Sequence, residues 1–375
     1  MSYVSRFTNG SRLHARCSPF PTERGIALVI VMIAIFTLTM LAAVFAISMK
    51  TETRLALNAN SETEIEWLGR SGVEYACWVL ACSLDPTHPY DSLDQPWATG
   101  TGELGPTNAP FAEVQNPIHM GRGTITWHIF DLERKVNINT ADERTLQQTL
   151  NLMGVDAGDM APIIGSILNW TAAGGNIHHL QGADSSDYQS MNPPYELKAG
   201  PIDDISELLF IRGITPELYW GAASSNSSPA AFQAAAKHQF GSQSPQTISS
   251  GLKDLFTPVS AGKININTAS ADVLQLIPGV DQQVAEAIVA GRSGVDDGSG
   301  LTGPYRNVGQ ISRLPEIGQM GGFISGAIQQ MGATQSRTFE VHVTAEVAGY
   351  SRHFVALVGR NNQHDVQILN FYWED

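Results

Sequence analysis

The stretch that decides the fold is IALVIVMIAIFTLTMLAAVFAISM, residues 26–49, which contains no charged side chain. A helix rises about 1.5 Å per residue, so about 20 residues cover a hydrocarbon core about 30 Å thick. The run is therefore long enough to span a membrane. A cleaved secretory signal would normally have an apolar region of only about 7–15 residues, so we predict an anchor.

The charges on the two sides of this run predict its orientation. Four arginines and one glutamate precede it, whereas lysine, arginine and glutamate are mixed after it. Because basic flanks stay in the cytoplasm, the N-terminus is expected to be cytoplasmic and the C-terminal part exported. Loss of the first 25 residues would change the net charge from −14 to −17. Such an acidic chain repels nucleic-acid phosphates and suits cations or basic partners.

The apolar run continues into an amphipathic segment. No proline occurs between Pro21 and Pro86, and apolar or small residues recur at helical spacing after residue 50. We therefore predict one helix from about Ile26 to about Ser83, whose second half packs against a soluble domain. Cys77 and Cys82 lie on this helix, and a disulfide between them would require the helix to end between the two residues.

Two parts of the sequence alternate apolar and polar residues with the period of a β-strand. The first is TITWHIFD, residues 124–131, and the second is the C-terminal block. The strands predicted in that block are 339–347, 352–359 and 366–373. Together these segments predict an antiparallel sheet of about four strands that packs on the helix, so the fold class is α+β.

About 200 residues with almost no strand pattern separate the first of these strands from the second. A segment of that length is not an ordinary loop, so we predict a large all-α insertion at 139–334. The insertion carries a repeat, because KVNINTA near its start returns as KININTA from Lys263. Thr140 with Glu143 predicts a capping box, and Thr268 predicts an N-cap.

The second repeat opens NINTASADVLQLIPGVDQQVAEAIVAGR, residues 265–292, which resembles the helix-hairpin-helix of competence and DNA-repair proteins. In that motif the backbone N–H groups of a Gly-rich hairpin bind a phosphate. Here Asp281 stands where the second glycine of the hairpin usually stands, and its carboxylate would repel phosphate. Lys263 and Arg292 are the only bases nearby. Helix packing is therefore the favoured interpretation, and phosphate binding is the alternative.

A basic leader that ends in Gly25, followed by an apolar helix that enters a soluble domain, resembles type IV pilin-like proteins. The string TERGIALVIVMI carries the resemblance. It implies that the prepilin peptidase cleaves between Gly25 and Ile26 and methylates the new amine. Major pilins have a glutamate at the fifth mature position, which neutralises a neighbouring N-terminal amine in the membrane. That position is Ile30 here, as in the minor pseudopilin K family of type II secretion.

Residues 180–214, LQGADSSDYQSMNPPYELKAGPIDDISELLFIRGI, also resemble that family, with its acidic G-A-D loop, D-Y, P-P-Y and E-L-L…G-I elements. The resemblance covers about residues 22–375. It implies a non-enzymatic subunit that initiates or caps the pseudopilus for export of folded proteins across the outer membrane. The implied partners are the minor pseudopilins I and J, the prepilin peptidase and the inner-membrane secretion platform.

The expected protein is a single-pass inner-membrane protein with a periplasmic C-terminal domain, and helix residues Leu55, Ala59 and Leu68 are expected to pack against partners. The expected regions are a leader at 1–25, a transmembrane part at 26–49, a pilin-like domain at 50–138 and 335–375, and an inserted domain with helix-hairpin-helix or SAM-like repeats at 139–334.

Relatives in the resembled family bind calcium in the helical insertion, and no other cofactor is implied. Asp184 and Asp187, with neighbouring serines and carbonyl groups, form an oxygen-rich loop of the kind that calcium prefers. Upstream, Trp170 is followed by T-A-A where the family has an acidic stretch, so part of the family's ligand set is missing here. No sequence motif of nucleophilic or metal-hydrolytic catalysis occurs. Two alternatives remain open, an anchored DNA-uptake protein and a minor pilin of a type IV pilus.

Overall fold

The computed structural model describes residues 24–84, 86, 88–103, 113–172, 181–221, 248–294, 303–320 and 322–374. The chain forms two compact units, Met1–Glu62 and Thr63–Asp375, and each is described by itself. The N-terminal helix, α1, is continuous from Arg24 to Ser83. The long helix predicted from the apolar run is therefore confirmed, and it starts two residues earlier than expected.

The secondary structure falls into three consecutive groups in the described residues. The first group is α1 (Arg24–Ser83), α2 (Pro96–Thr99), β1 (Ile118–Met120) and β2 (Gly123–Asp131). The insertion contains β3 (Val136–Asn137), α3 (Glu143–Leu152), α4 (Ala157–Thr171), α5 (Ser185–Gln189), α6 (Pro216–Trp220), α7 (Leu252–Leu255), β4 (Phe256–Thr257), β5 (Ile264–Asn265), α8 (Ala271–Leu274), α9 (Gln282–Arg292), α10 (Pro315–Met320), α11 (Gly322–Met331) and β6 (Gly332–Ala333). The C-terminal group is β7 (Thr338–Val347), β8 (Tyr350–Asn362) and β9 (Asp365–Glu374). Short 3₁₀ turns occupy Leu132–Arg134, Ile205–Phe210 and Val308–Arg313.

The main sheet of the described chain has five strands in the order β1-β2-β7-β8-β9. All neighbouring pairs are antiparallel, and β2 pairs with β7 along its whole length from Gly123↔Val347 to Asp131↔Phe339. The predicted α+β fold with an antiparallel sheet is confirmed. The sequence missed β1, because three residues are too few to show an alternating pattern.

The second half of α1 packs on one face of this sheet through small residues. A Cβ atom added to Gly69 would lie 2.4 Å from the Phe354 ring, and one added to Gly72 would lie 2.7 Å from Val343. Around this close approach, Ile65, Val73 and Val79 of the helix are fully buried. Cys77 is buried and Cys82 is half-buried, and both are free thiols on the uninterrupted helix. Burial raises the pKa of Cys77 to about 12.

The insertion consists of two helical regions, each closed by a short parallel strand pair. β3 pairs with β4 (Val136↔Phe256) and β5 pairs with β6 (Ile264↔Gly332). Each pair joins the start of one sequence repeat to the end of the helices that follow it. A single buried cluster of aliphatic and aromatic side chains runs through both regions. The predicted helical character holds in the described residues, and the four strands of two residues were too short to predict.

The predicted helix caps need correction in both repeats. Asp142, not Thr140, is the N-cap of α3 and accepts from the backbone N–H of Thr145 at 2.9 Å. Ser270, not Thr268, is the N-cap of α8. The cause is a turn made by the repeat itself.

In this turn the side-chain oxygen of the first asparagine of each N-I-N-T accepts a hydrogen bond from the backbone N–H two residues later. The distances are 2.9 Å for Asn137 and 3.0 Å for Asn265. The threonine lies within this turn, so the helix begins after it.

Candidate functional site

The apolar part of α1 presents its side chains outward throughout the described residues. Ile26 is 62% exposed, Ile30 60% and Phe36 70%. The hydroxyls of Thr37 and Thr39 donate to backbone carbonyl groups of the preceding turn, so they have no unmet hydrogen bond in an apolar medium. Within the described chain, one helix is long and apolar enough to cross a membrane by length and composition.

The predicted processing site lies at the start of this helix. Gly25 and Ile26 are in the first turn of α1, which begins at Arg24. Ile30 follows one turn later and carries an aliphatic side chain. The leader before Arg24 lies outside the described residues. The cleavage and methylation predictions are therefore not tested by the fold and remain predictions.

The three residues expected to pack against partners differ in exposure. Leu55 is 62% exposed and Ala59 is exposed, so both side chains are free to contact another helix. Leu68 is only 6% exposed and belongs to the chain's own core between α1 and the sheet. Its helical spacing was interpreted as a partner face, but the sheet of the same chain covers it. Leu68 is therefore removed from the expected partner surface.

The helix-hairpin-helix segment has a geometry that favours packing. Asp281 is the N-cap of α9, and its carboxylate accepts from the backbone N–H of Val284 at 2.9 Å. The guanidinium of Arg292 donates to the carbonyl groups of Ile266 and Ala269 at 3.0 and 2.6 Å. One of the two candidate phosphate-binding bases is therefore occupied by the backbone. Lys263 is exposed.

The two aspartates of the expected calcium loop have protein partners. Asp184 is the N-cap of α5 and Asp187 completes the capping box by accepting from the Asp184 N–H. Hydrogen bonds from Ser186 and Asp187 hold the pKa of Asp184 below its usual value. Asp187 also pairs with Arg212. In the described residues no three His, Cys, Asp or Glu side chains gather so as to hold a metal ion.

A buried polar cluster, which the sequence analysis did not identify, connects the sheet to the insertion. We call it the junction cluster. Its members are Asp91, Asp131, Glu133, Asn265, Thr268, Ser336 and Arg360, each at most 3% exposed. Asp131 ends β2 on the same face as the buried Ile125, Trp127 and Ile129, and this inward position of an acid was the available sequence signal.

Donor groups surround the Asp131 carboxylate. Its Oδ2 accepts from the Thr268 hydroxyl at 2.6 Å, the Ser336 hydroxyl at 2.7 Å and the Asn265 amide at 3.1 Å. Its Oδ1 accepts from the backbone N–H of Glu133 at 2.8 Å. Residues from β2, from the second repeat and from the connection to β7 therefore meet at one carboxylate.

Arg360 and Asp91 form a buried ion pair beside this carboxylate. Arg360 also donates to the carbonyl of Leu80 on α1 at 3.0 Å and to that of Ser336 at 2.9 Å. Asp91 Oδ2 accepts from the Ser336 N–H at 2.8 Å. Loss of either partner of such a pair would leave an uncompensated buried charge, which is strongly destabilising. The cluster thus holds the C-terminal end of α1, the sheet and the insertion in one arrangement.

Burial is the main cause of the altered acidity in the cluster. It raises the pKa of Asp131, and the neighbouring Asp91 charge adds to the rise. It also raises the pKa of Glu133 to about 7. Glu133 Oε1 accepts from the backbone N–H groups of Arg337 at 2.9 Å and Ala261 at 3.4 Å. The cluster contains three acids and one base, and its hydrogen bonds link the sheet to the insertion.

Comparison with known proteins agrees with this architecture. Residues 129–223 match the family model described as "Type II secretion system (T2SS), protein K", and residues 259–320 match the helix-hairpin-helix motif. The search of curated proteins gave no match. Among solved structures, the chain is similar to one chain of the crystal structure of the GspK-GspI-GspJ complex from the enterotoxigenic Escherichia coli type 2 secretion system. The TM-score is 0.59 and the identity 16%, over 85% of this chain and 98% of that chain.

A long apolar helix whose second half packs on an antiparallel sheet, with a helical domain inserted between two strands, is the architecture that the chain shares with the similar structure. At 16% identity the similar structure shows the shared fold, and the family match adds the sequence relationship. Residues 129–223 therefore relate the chain to the type II secretion system protein K family by sequence, and the rest of the chain agrees with it in fold. Members of this family are structural proteins without a catalytic role.

Proposed function

We propose that the chain is the minor pseudopilin at the tip of the type II secretion pseudopilus, where it initiates or caps assembly. The observation that carries the proposal is the aliphatic Ile30 in an anchor without any acid from residue 26 to residue 49. A buried N-terminal amine is costly in lipid unless an acid neutralises it. A subunit that offers no such acid is unsuited to repeated stacking and suited to an end position.

The proposed partners are the minor pseudopilins I and J. The similar structure is that of a GspK-GspI-GspJ complex, and the exposed apolar surface of α1 needs lipid or other helices around it. The proposal includes prepilin-peptidase cleavage between Gly25 and Ile26, attachment to the inner-membrane platform, and a periplasmic C-terminal domain. The bulky insertion would obstruct a further subunit above the tip.

Co-purification of the full-length chain with I and J tests this proposal, and Leu55 provides the sharpest variant. Leu55→Lys places a charge on an exposed apolar position of α1, and we expect about a tenfold loss of recovered partner, since about 1.4 kcal/mol corresponds to tenfold. The control is Thr53→Lys, which adds the same charge at an exposed position about 200° away around the helix. Equal recovery for Leu55→Lys and the wild-type chain would contradict helix packing by this face.

DNA binding is the second candidate, because residues 259–320 match the helix-hairpin-helix motif. The occupied guanidinium of Arg292 and the acidic cap Asp281 disfavour it. We expect no salt-sensitive binding of duplex DNA by the purified chain. Binding that weakens in Lys263→Ala would restore this candidate. A minor pilin of a type IV pilus is disfavoured by the family match over residues 129–223.

Calcium binding at Asp184 and Asp187 stays a proposal. Both carboxylates have protein partners, so a calcium ion would have to compete with them. We expect the melting temperature of the full chain to rise in calcium relative to a chelator if the site is real. Asp184→Asn keeps a good N-cap residue and removes the charge, so it should abolish this rise. An equal rise in both proteins would place the ion elsewhere.

A further inference from the structure

The last strand of the main sheet has an open outer edge. β9 is at the end of the strand order, and in the described part of the chain its only sheet neighbour is β8. A strand at the edge of a sheet presents unpaired backbone N–H and C=O groups that can pair with another strand. From Val366 to Trp373 the sequence VQILNFYW has no charge and no proline, so two common protections against edge pairing are missing.

Apolar side chains of β9 are exposed on both faces of the sheet. Trp373 is paired with Phe354, which lies under α1, and it is 52% exposed on that helix-bearing face. Tyr372 is paired with Val355 on the opposite face and is 46% exposed. Leu369, at the register shift, is 57% exposed. A helix could cover only one face, whereas a strand in the plane of the sheet would extend both faces and cover both sets.

The opposite edge of the sheet is protected. β1 has only three residues, Ile118–Met120, and Pro117 directly precedes it. A short edge strand that starts after a proline gives an incoming strand few groups to pair with. β9, with ten residues, offers an edge more than three times as long. The β1 edge therefore offers few backbone groups to an incoming strand, whereas the β9 edge offers many.

Helix α1 contributes to the surface beside β9. Trp67 of α1 is 66% exposed, and the guanidinium of Arg70 lies 5.8 Å from its ring and 5.3 Å from the ring of Phe371 on β9. Arg352 lies 4.7 Å from the Trp373 ring. These contacts hold large flat side chains in place, which lowers the entropy cost of binding. The open edge is thus continuous with the exposed side of α1 around Trp67 and Arg70.

We propose that β9 receives a β-strand from a partner subunit of the secretion complex, in addition to the helix packing on α1. This inference rests on the proposed function. The partner strand is apolar in its centre and basic at its ends, because β9 carries Asp365 at one end and Glu374 at the other. Self-pairing in either direction would bring these carboxylates next to acids of the second copy, and like charges across strands are destabilising.

Photo-crosslinking in membranes of secretion-competent cells tests the strand. A benzophenone amino acid is placed at Tyr372 in one full-length variant and at Trp373 in another, so that the two report on opposite faces. We expect both positions to crosslink to the same strand of one partner subunit, identified by peptide mass. Crosslinks from one face alone would indicate a helix, and crosslinks to β9 itself would indicate a second copy. Either result, or no crosslink from either position, overturns the proposal.

A matched pair of lysine variants measures the contribution of the edge to binding. Leu369→Lys is expected to reduce the recovered partner about tenfold, since burying an unpaired charge costs more than about 1.4 kcal/mol. Met120→Lys, at a 47% exposed position of the protected β1 edge, is expected to stay within about twofold of the wild type. Both sites are exposed, so both variants should fold, which thermal melting verifies.

The same assays separate the two levels of the proposal. If Leu55→Lys lowers partner recovery and Leu369→Lys does not, helix packing stands and strand addition is wrong. If the wild-type chain recovers neither I nor J and Tyr372 crosslinks to no subunit, the proposed function fails as well.

Discussion

The two repeats KVNINT and KININT have the same internal structure in different surroundings. In each, the side-chain amide of the second asparagine forms two hydrogen bonds with one distant loop residue. It accepts from the backbone N–H of that residue and donates to its backbone C=O. The distances are 2.7 and 2.9 Å between Asn139 and Ile202, and both are 2.9 Å between Asn267 and Tyr305. The motif therefore specifies how a helical region begins and where its return loop attaches.

The first asparagines show how the repeats differ. The amide of Asn137 donates to the carbonyl of Ser260 at 3.0 Å, away from any charged partner. The amide of Asn265 is fully buried and faces Asp131, Ser336 and the carbonyl of Asp91. One sequence pattern thus serves a local turn in the first repeat and the junction cluster in the second. The motif therefore determines the turn, and the residues around it determine whether the turn is coupled to the sheet.

The largest difference between the repeats is expected for their first asparagines. Asn265→Ala removes a donor from a buried carboxylate and should lower the free energy of unfolding by about 4 kcal/mol. Asn137→Ala should cost about 2 kcal/mol, because it loses the bond to the Ser260 carbonyl and the turn bond from the Asn139 N–H but unpairs no buried charge. Urea unfolding of the detergent-solubilised chain, followed by tryptophan fluorescence, gives both values. Equal losses would show that the junction cluster is not a special feature of the second repeat.

Glu133 precedes the first repeat and accepts from Ala261 just before the second, so its ionisation should affect their coupling. Its pKa in the folded chain is about 7, above the value of 4.5 for an unperturbed glutamate. The folded state therefore keeps a proton that the unfolded state has lost, and stability falls as pH rises from about 4.5 through 7.

Glu133→Gln should remove this loss, and at pH 8 it should be more stable than the wild type by about 3 kcal/mol. At pH 4 the two proteins should differ little. Urea unfolding at several pH values measures the effect, and Glu286→Gln, an exposed position, is the control. A wild-type stability that rises between pH 5 and 8 relative to Glu133→Gln would contradict the assigned sign.

The smallest difference is expected for the second asparagines, because each binds the backbone N–H and C=O of one loop residue; Asn139 adds only a bond to the Pro258 carbonyl at 3.0 Å. Asn139→Ala and Asn267→Ala each leave a backbone N–H and C=O without their partner and should each cost about 1.5 kcal/mol. Hydrogen exchange at the amides of Ile202 and Tyr305 should accelerate in the corresponding variant only. If only one of the two variants lost stability, the same hydrogen-bond geometry would not contribute equally to the free energy of unfolding in the two repeats.

Much of the fold could be predicted from the sequence, because long periodic segments identify their own structure. The apolar run identified α1, and alternation identified β2 and the three C-terminal strands. The predicted helix caps were wrong because Asn137 and Asn265 form turns with the following backbone. These turns include the threonine, so each helix begins after it. Leu68 was misassigned because helical spacing cannot show which protein covers a face.

The junction cluster could not be predicted as a set. Asp131 and Arg360 are separated by more than 200 residues, and only the fold brings them together. Asp131 follows Ile125, Trp127 and Ile129 on the inward face of the strand, and this position could have indicated one buried acid. Nothing in the sequence could have indicated its partners. The open edge of β9 was hidden for the same reason, because strand order is a property of the whole sheet.

The mass of the N-terminal peptide tests the proposed function most directly. The full chain is purified from the membranes of cells with and without the prepilin peptidase, and its first peptide is measured. We predict a peptide that starts at methylated Ile26 in cells with the peptidase and an intact leader through Gly25 in cells without it. An intact leader in both would contradict a processed pseudopilin and indicate a plain signal anchor.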